Sequence, residues 1–71
     1  MSWSKSVFSS VATDVGYDPD TQELTVTWKN GRTSAYSGVP EDVAVNLSNA
    51  PSVGQLINGS IKNQFSHRYI R

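Results

Sequence analysis

The sequence has no cysteine, only one histidine, and no acidic residue after Asp42. The absence of cysteine excludes a disulfide and a thiolate metal site, and one histidine excludes a histidine-rich metal site within one chain. A domain of this size buries only a small core, so self-association is the remaining means of strengthening it. We therefore expect a homo-oligomer without cofactor or metal, located in the cytoplasm because a chain without cysteine fits a reducing compartment.

Long apolar runs are also missing. No stretch approaches the roughly 20 apolar residues of a membrane-spanning helix, and the first ten residues, five of them serine, do not have the pattern of a signal peptide. We expect no membrane partner and a single domain over residues 1–71. Residues 1–6 are predicted to fray, and Trp3, Val7 and Phe8 are apolar enough to dock on the core or to cover a partner.

Charge is balanced overall but unevenly placed. Six basic and six acidic side chains give a formal net charge of zero. Residues 1–42 sum to −3 and residues 43–71 to +3. A zero total disfavours strong nonspecific binding to nucleic acid, whereas the basic second part leaves room for a local anion site. A chance split in a short chain is the competing interpretation, and both stay open.

Alternating apolar and polar residues predict three β-strands. The first covers residues 11–17, the second residues 23–28, and the third ends at Ser37. Asp18 and Asp20 frame a proline-containing turn between the first two strands, where their side chains fix the backbone. The side chains expected to face inward are Val11, Val15, Tyr17, Leu24, Val26 and Trp28.

Asn30-Gly31 predicts a hairpin between the second and third strands, because both positions tolerate positive φ. A two-residue turn would place Tyr36 on the face opposite Trp28. A bulged three-residue loop would place both aromatic residues on the same face. The sequence leaves open whether Tyr36 is a core residue or an exposed aromatic.

Two short helices are expected after the strands. The first covers residues 39–50, with Pro40 in its first turn and acidic residues beside it. Pro51 ends it, and Ser52 opens the second with Gln55 in a capping-box pattern. Their apolar stripes are Val39, Val43, Ala44 and Leu47, and then Val53, Leu56, Ile57 and Ile61, with Phe65, Tyr69 and Ile70 as docking residues of the tail. The predicted fold is α+β, a three-stranded antiparallel β-meander followed by two short α-helices.

An ordered series of short motifs runs through this pattern: Val-Gly-Tyr-Asp-Pro-Asp-Thr-Gln-Glu-Leu (15–24), Trp-Lys-Asn-Gly (28–31), Tyr-Ser-Gly-Val-Pro (36–40), Ala-Pro-Ser-Val-Gly (50–54), and Asn58 with Ile61-Lys62. The series resembles the KTSC domain over roughly residues 7–71. That family is named for its occurrence at the carboxy terminus of some lysyl-tRNA synthetases, and it also occurs as small free-standing proteins of bacteria and their phages. Its third strand carries a Tyr-x-Tyr pair, of which this chain keeps only Tyr36, with Ser34 at the first position.

The resemblance implies RNA binding, which has been suggested for the family from its attachment to a tRNA enzyme. Backbone N–H groups at the start of the second helix could hold a phosphate, and Tyr36, near Lys29 and Arg32 of the hairpin, could stack on a base. In the competing interpretation Ser52 only caps its helix and Tyr36 packs beneath one. The candidate ligand-binding residues are Tyr36, Ser52, Gly54, Asn58, Lys62, Arg68 and Arg71.

No constellation for catalysis is recognisable. A serine nucleophile needs a base and an orienting group, but His67 is the only histidine and no Gly-x-Ser-x-Gly elbow occurs. We therefore expect a non-catalytic binding module for a phosphate-bearing ligand, RNA by family resemblance. One alternative is a homo-oligomer that holds a small nucleotide between subunits. Another is a protein-interaction or inhibitor module with Trp3, Val7 and Phe8 as an exposed anchor.

Overall fold

The computed structural model describes residues 2–7, 10–51 and 53–71, except for the side chains of Asn58 and Ser60. Five strands form one antiparallel sheet in the order β1-β2-β3-β4-β5. The strands are β1 (Trp3–Ser6), β2 (Ala12–Asp18), β3 (Glu23–Trp28), β4 (Thr33–Ser37) and β5 (Ser66–Tyr69). The helical elements, between β4 and β5, are α1 (Glu41–Ser48), α2 (Val53–Leu56), a π-helical turn (Ile57–Ile61) and α3 (Lys62–Gln64). None of the helices in these ranges is long and apolar enough to cross a membrane.

The α+β class is confirmed, but the prediction of three strands was wrong. Both additional strands are edge strands of four residues. β1 pairs with β2, so the fraying predicted for residues 1–6 does not apply to Trp3–Ser6. β5 pairs with β4, and its four side chains are all exposed. Edge strands of this length bury no alternating face, so their sequences carry little periodic signal.

A β-bulge between Ala12 and Asp14 changes which residues of β2 face the core. The extra residue of a bulge reverses the alternation on one side of it. Ala12 is therefore buried, and Val11, which was predicted to face inward, is 43% exposed. Val15 and Tyr17, on the other side of the bulge, face the core as predicted.

The β3–β4 connection is the three-residue loop that the sequence left as one of two alternatives. The backbone N–H of Trp28 donates to the carbonyl of Arg32 at 2.8 Å, and Gly31 takes φ +91°. Leu24 consequently pairs with Tyr36 and Val26 with Ser34. Tyr36 therefore lies on the same face as Leu24 and is a core residue.

The second predicted helix is a helical segment, residues 53–64, that contains a π-helical turn. A π turn has i→i+5 hydrogen bonds and is therefore wider than an α turn. Ile57 and Ile61, four residues apart at its two ends, are both 1% exposed. Ser52, the predicted cap of this segment, lies outside the described residues.

The helices cover one face of the sheet, which we call the inner face. Buried side chains of the three central strands and of the helical elements form one core there, with Trp3, Val7 and Phe65 packed partly buried against it. The hydroxyl of Tyr17 donates to the carbonyl of Val39 at 2.5 Å and joins β2 to the start of α1. Trp3 and Val7, two residues of the predicted exposed anchor, are thus partly buried, and Phe8, the third, lies outside the described residues.

The opposite, outer face of the sheet carries small and polar side chains. Arg68 of β5 donates to Glu23 of β3 at 2.6 Å. Since β4 lies between these strands, the ion pair crosses it beside Ala35, the partner of Arg68 in the β4–β5 register. Ala35 is fully buried although no helix covers this face. A small side chain at this position leaves room for the ion pair to pass over β4.

Candidate functional site

Tyr36, the predicted stacking aromatic, lies in the core. Its side chain is only 3% exposed, and the ring of His67 lies over it with centroids 5.0 Å apart. Burial, and to a lesser extent the nearby Tyr69, raises the pKa of Tyr36. A ring with so little exposed surface cannot present its face to a base, so the stacking role proposed for Tyr36 does not fit the structure.

The basic residues predicted to hold phosphate do not converge. Arg68 points to the outer face and pairs with Glu23, whereas Lys62 belongs to the helical elements of the inner face. The backbone carbonyl of Arg71 accepts the N–H of Thr33, which fixes the tail beside β4. Gly54 is buried in its helix. Ser52 and the side chain of Asn58 lie outside the described residues. Among the described members of the predicted anion site, Lys62 and Arg68 lie on different elements and on different faces of the sheet.

A different set of residues comes together on the inner face, at the end of the sheet that carries the β3–β4 loop. We call Trp28, Lys29, Arg32, His67 and Tyr69 the hairpin patch. A cavity of about 370 Å³ lies beside it, and among the described residues no acidic side chain lines it. The lining residues are Ser10, Val11, Trp28, Lys29, Asn30, Arg32 and Tyr69.

The aromatic rings of the patch form a connected series. The guanidinium carbon of Arg32 lies 4.4 Å from the ring centroid of Tyr69, within the range of a cation–π contact. The ring of His67 meets Tyr69 edge-on, at 4.8 Å and 82°, and leans on buried Tyr36. Tyr69 itself remains 56% exposed. The exposed ring of Tyr69 thus packs on His67, which packs on buried Tyr36.

Backbone and side-chain hydrogen bonds hold the loop that carries the two cationic residues. The side-chain oxygen of Asn30 accepts the N–H of Arg32 at 3.0 Å, and the N–H of Lys29 donates to Val11 at 2.9 Å. The indole N–H of Trp28 donates to the hydroxyl of Ser34 at 2.7 Å. Ser34 thus holds the tryptophan that forms one wall of the cavity.

Sequence reasoning identified Lys29 and Arg32 but assigned them the wrong aromatic partner. Tyr69 joins them because β5 pairs with β4, with Tyr69 opposite Ser34. The alternation of His67 and Tyr69 with Arg68 was a weak signal for this strand.

The predicted turn role of Asp18 is confirmed, since its carboxylate accepts the N–H of Asp20 at 3.0 Å.

The buried tyrosines predict a loss of stability in alkaline solution. Burial is the main cause that raises the pKa of Tyr17 and of Tyr36 above the usual 10.0, and Glu41, Asp18 and Asp42 raise that of Tyr17 further. Their contribution to stability is complete below the unfolded pKa and is lost as pH rises through the folded pKa. In urea unfolding from about pH 8 to about pH 11, we expect the unfolding free energy to fall above about pH 10. Tyr36→Phe should make the fall shallower, and an unchanged slope in that variant would contradict the assignment.

Comparison with known proteins agrees with the fold and with the motif series. The family model of the KTSC domain matches residues 8–65. The crystal structure of a KTSC domain protein from Yersinia pestis has a TM-score of 0.90 to this chain at 35% sequence identity, with 100% of both chains covered. A protein of Stutzerimonas stutzeri is 38% identical over 63 residues, which are 89% of this chain and 87% of that protein.

The chain is also similar to part of a larger enzyme. A lysine–tRNA ligase of Nostoc sp. is 41% identical over 54 residues, 76% of this chain. The match covers 10% of the ligase, so the chain spans about a tenth of that relative's length. The family match extends over most of the chain and is supported by a solved structure of the same fold. The chain belongs to the KTSC domain family.

Proposed function

We propose that this protein is a non-catalytic module that binds single-stranded RNA at the hairpin patch. The observation that carries the proposal is the contact of Arg32 with the exposed ring of Tyr69, beside a cavity that no acidic side chain of the described residues lines. Single-stranded RNA is recognised by stacking of unpaired bases on aromatic rings and by basic groups that follow its phosphates. Tyr69 supplies the ring, and Lys29 and Arg32 supply the basic groups.

The similarity to lysine–tRNA ligases also supports this proposal. The lysine–tRNA ligases that carry a matching segment are named for a tRNA. A segment with affinity for single-stranded RNA would help such an enzyme to hold its substrate, and the same affinity is proposed for this chain.

The zero net charge predicts how RNA binding depends on salt concentration. Affinity that depends on a few local contacts has a shallow salt dependence, because each phosphate contact on a single strand contributes about −0.7 to the slope of log K against log salt. Two basic residues, Lys29 and Arg32, predict a slope of about −1.4. Binding by general charge attraction would give a steeper slope.

The test compares two double variants with the same change in net charge. Lys29→Gln with Arg32→Gln removes both cations of the patch, and Lys62→Gln with Arg68→Gln removes two cations elsewhere. Fluorescence anisotropy with a short unstructured RNA is measured over a range of sodium chloride concentrations. We expect the patch variant to lose affinity and most of the salt dependence, and the control to retain both. Equal losses in the two variants, or no binding by the wild type, would refute the proposal.

A homo-oligomer that holds a small nucleotide is the second candidate. The cavity of about 370 Å³ has the size of a small-molecule site, and β5, which carries Tyr69, is an edge strand to which a second subunit could pair. Native mass spectrometry of gently purified protein separates the candidates. An oligomer with a bound nucleotide mass would favour this one, and a ligand-free monomer would exclude it.

A further inference from the structure

We infer that the outer face of the sheet holds a second site, for a small oxyanion such as a phosphate group, beside Thr33. A cavity of about 250 Å³ lies there, lined by Thr25, Thr27, Thr33, Ile70 and Arg71. The cavity is separate from the hairpin patch, because none of its lining residues belongs to the patch or lines the cavity beside it. Thr33 alternates with Ser34 along β4 and faces the other side of the sheet. The inference does not depend on RNA binding at the patch.

The hydroxyl of Thr33 is the observation that points to a ligand. The residue is 7% exposed, and its Oγ1 has no hydrogen-bond partner among the described residues. Its backbone is fully paired, since its N–H donates to Arg71 and its carbonyl accepts the N–H of Ile70. A buried hydroxyl without a partner is unfavourable and calls for an explanation, such as an ion or water. Thr33 itself lines the cavity, and rotation about χ1 moves its hydroxyl between staggered positions.

The other lining groups favour an oxyanion as the occupant. Hydroxyls of Thr25 and Thr27 can each donate one hydrogen bond, and no hydrogen bond joins either hydroxyl to another described residue. Arg71 also lines the cavity, and its side chain ends in a guanidinium group, whose geometry suits phosphate. Hydroxyl and guanidinium groups are hydrogen-bond donors, which is the requirement of a tetrahedral oxyanion.

Glu23 and Asp14, two acidic residues of the outer face, are bonded to other side chains. Glu23 is engaged by Arg68. Asp14, the cross-strand partner of Thr27, accepts hydrogen bonds from the hydroxyls of Ser6 and Thr13. Neither carboxylate lines the cavity. Among the described residues that line the cavity, only Arg71 has a charged side chain.

The experiment follows backbone amides of the ¹⁵N-labelled full chain by NMR during a titration with inorganic phosphate, against sodium chloride of equal ionic strength. We expect saturable shifts at Thr27, Thr33 and Arg71, with little change at Lys29 and Arg32. Thr33→Val keeps the shape and removes the hydroxyl, so phosphate should bind at least about tenfold more weakly. Thr33→Ser keeps the hydroxyl and should retain binding, and Arg71→Gln should weaken it.

Thermal unfolding gives a second readout that needs no ligand. In phosphate-free buffer Thr33→Val should raise the Tm, because it replaces an unpaired buried hydroxyl with a methyl group. Phosphate should raise the Tm of the wild type and of Thr33→Ser, but not that of Thr33→Val.

A short RNA distinguishes the two sources of the phosphate group. Shifts at Thr33 with inorganic phosphate identify a site for the free ion. Shifts there with RNA alone, abolished in Thr33→Val and retained when Lys29 and Arg32 are replaced by Gln, identify a phosphodiester site. Absence of shifts at Thr33 with both ligands, or unchanged binding by Thr33→Val, would overturn the inference.

Discussion

Leu47→Ala is expected to lower the unfolding free energy by about 2–5 kcal/mol. Leu47 is fully buried and lies in α1, whose buried side chains share one core with the sheet. Truncation removes apolar surface that was shielded from water and leaves a cavity that the surrounding side chains fill only partly. Alanine has the higher helix propensity, so the loss arises from tertiary packing and not from the helix itself.

The effect is large relative to the total stability of so small a domain. At about 0.05–0.15 kcal/mol per residue, a chain of 71 residues has a free energy of unfolding of roughly 4–11 kcal/mol. Urea unfolding followed by circular dichroism measures the change. Val45→Ala is the matched control, because Val45 lies in the same helix but is 41% exposed. It should change stability by no more than about 0.5 kcal/mol, and similar losses in the two variants would contradict the described packing of α1.

Tyr69→Ala is expected to weaken binding of single-stranded RNA by about 5-fold to 150-fold, which corresponds to the 1–3 kcal/mol typical of a base stacked on an aromatic ring. The loss has two physical sources. The base loses the ring face that the structure leaves exposed, and Arg32 loses the ring over which its guanidinium lies. Tyr69→Phe keeps the ring and should retain most of the affinity.

Two controls separate stacking from loss of fold. Because more than half of the Tyr69 side chain is exposed, Tyr69→Ala should keep the circular dichroism spectrum and most of the unfolding free energy. Replacement of Lys62 and Arg68 by alanine, which tests the anion site expected from sequence, should leave RNA affinity near that of the wild type. If that pair lost binding and Tyr69→Ala did not, the ligand would lie elsewhere and the hairpin patch would be excluded.

Strands and helices that have their own pattern of apolar and polar residues, or their own start and turn residues, were predictable from sequence. β3 extends over Glu23–Trp28 as predicted, because Leu24 and Val26 alternate with threonines on a central strand that buries one face. α1 follows Pro40, with Glu41 and Asp42 in its first turn. The family was also evident from the ordered motifs, and the comparisons confirm it.

Elements that depend on a neighbour elsewhere in the chain were missed or left open. β1 and β5 are strands because β2 and β4 offer free edges, and neither buries enough side chain to leave a periodic pattern. The bulge after Ala12 results from pairing with β3. The face of the sheet on which Tyr36 lies depends on whether the β3–β4 loop has two or three residues, and the Asn-Gly dipeptide does not specify that length.

The candidate site also combines features that local sequence predicts with features that depend on residues distant in the chain. The amino-acid pattern was enough to predict the family, the α+β class, the central strand, the first helix and a cationic hairpin with Lys29 and Arg32. The burial of Tyr36, the pairing of Arg68 with Glu23 and the position of Tyr69 beside Arg32 became visible in the folded structure. Periodicity and turn chemistry act over a few residues and can be read locally. The partner of Arg32 depends on strand pairing across 37 positions of the chain, and that pairing exists only once the sheet has formed.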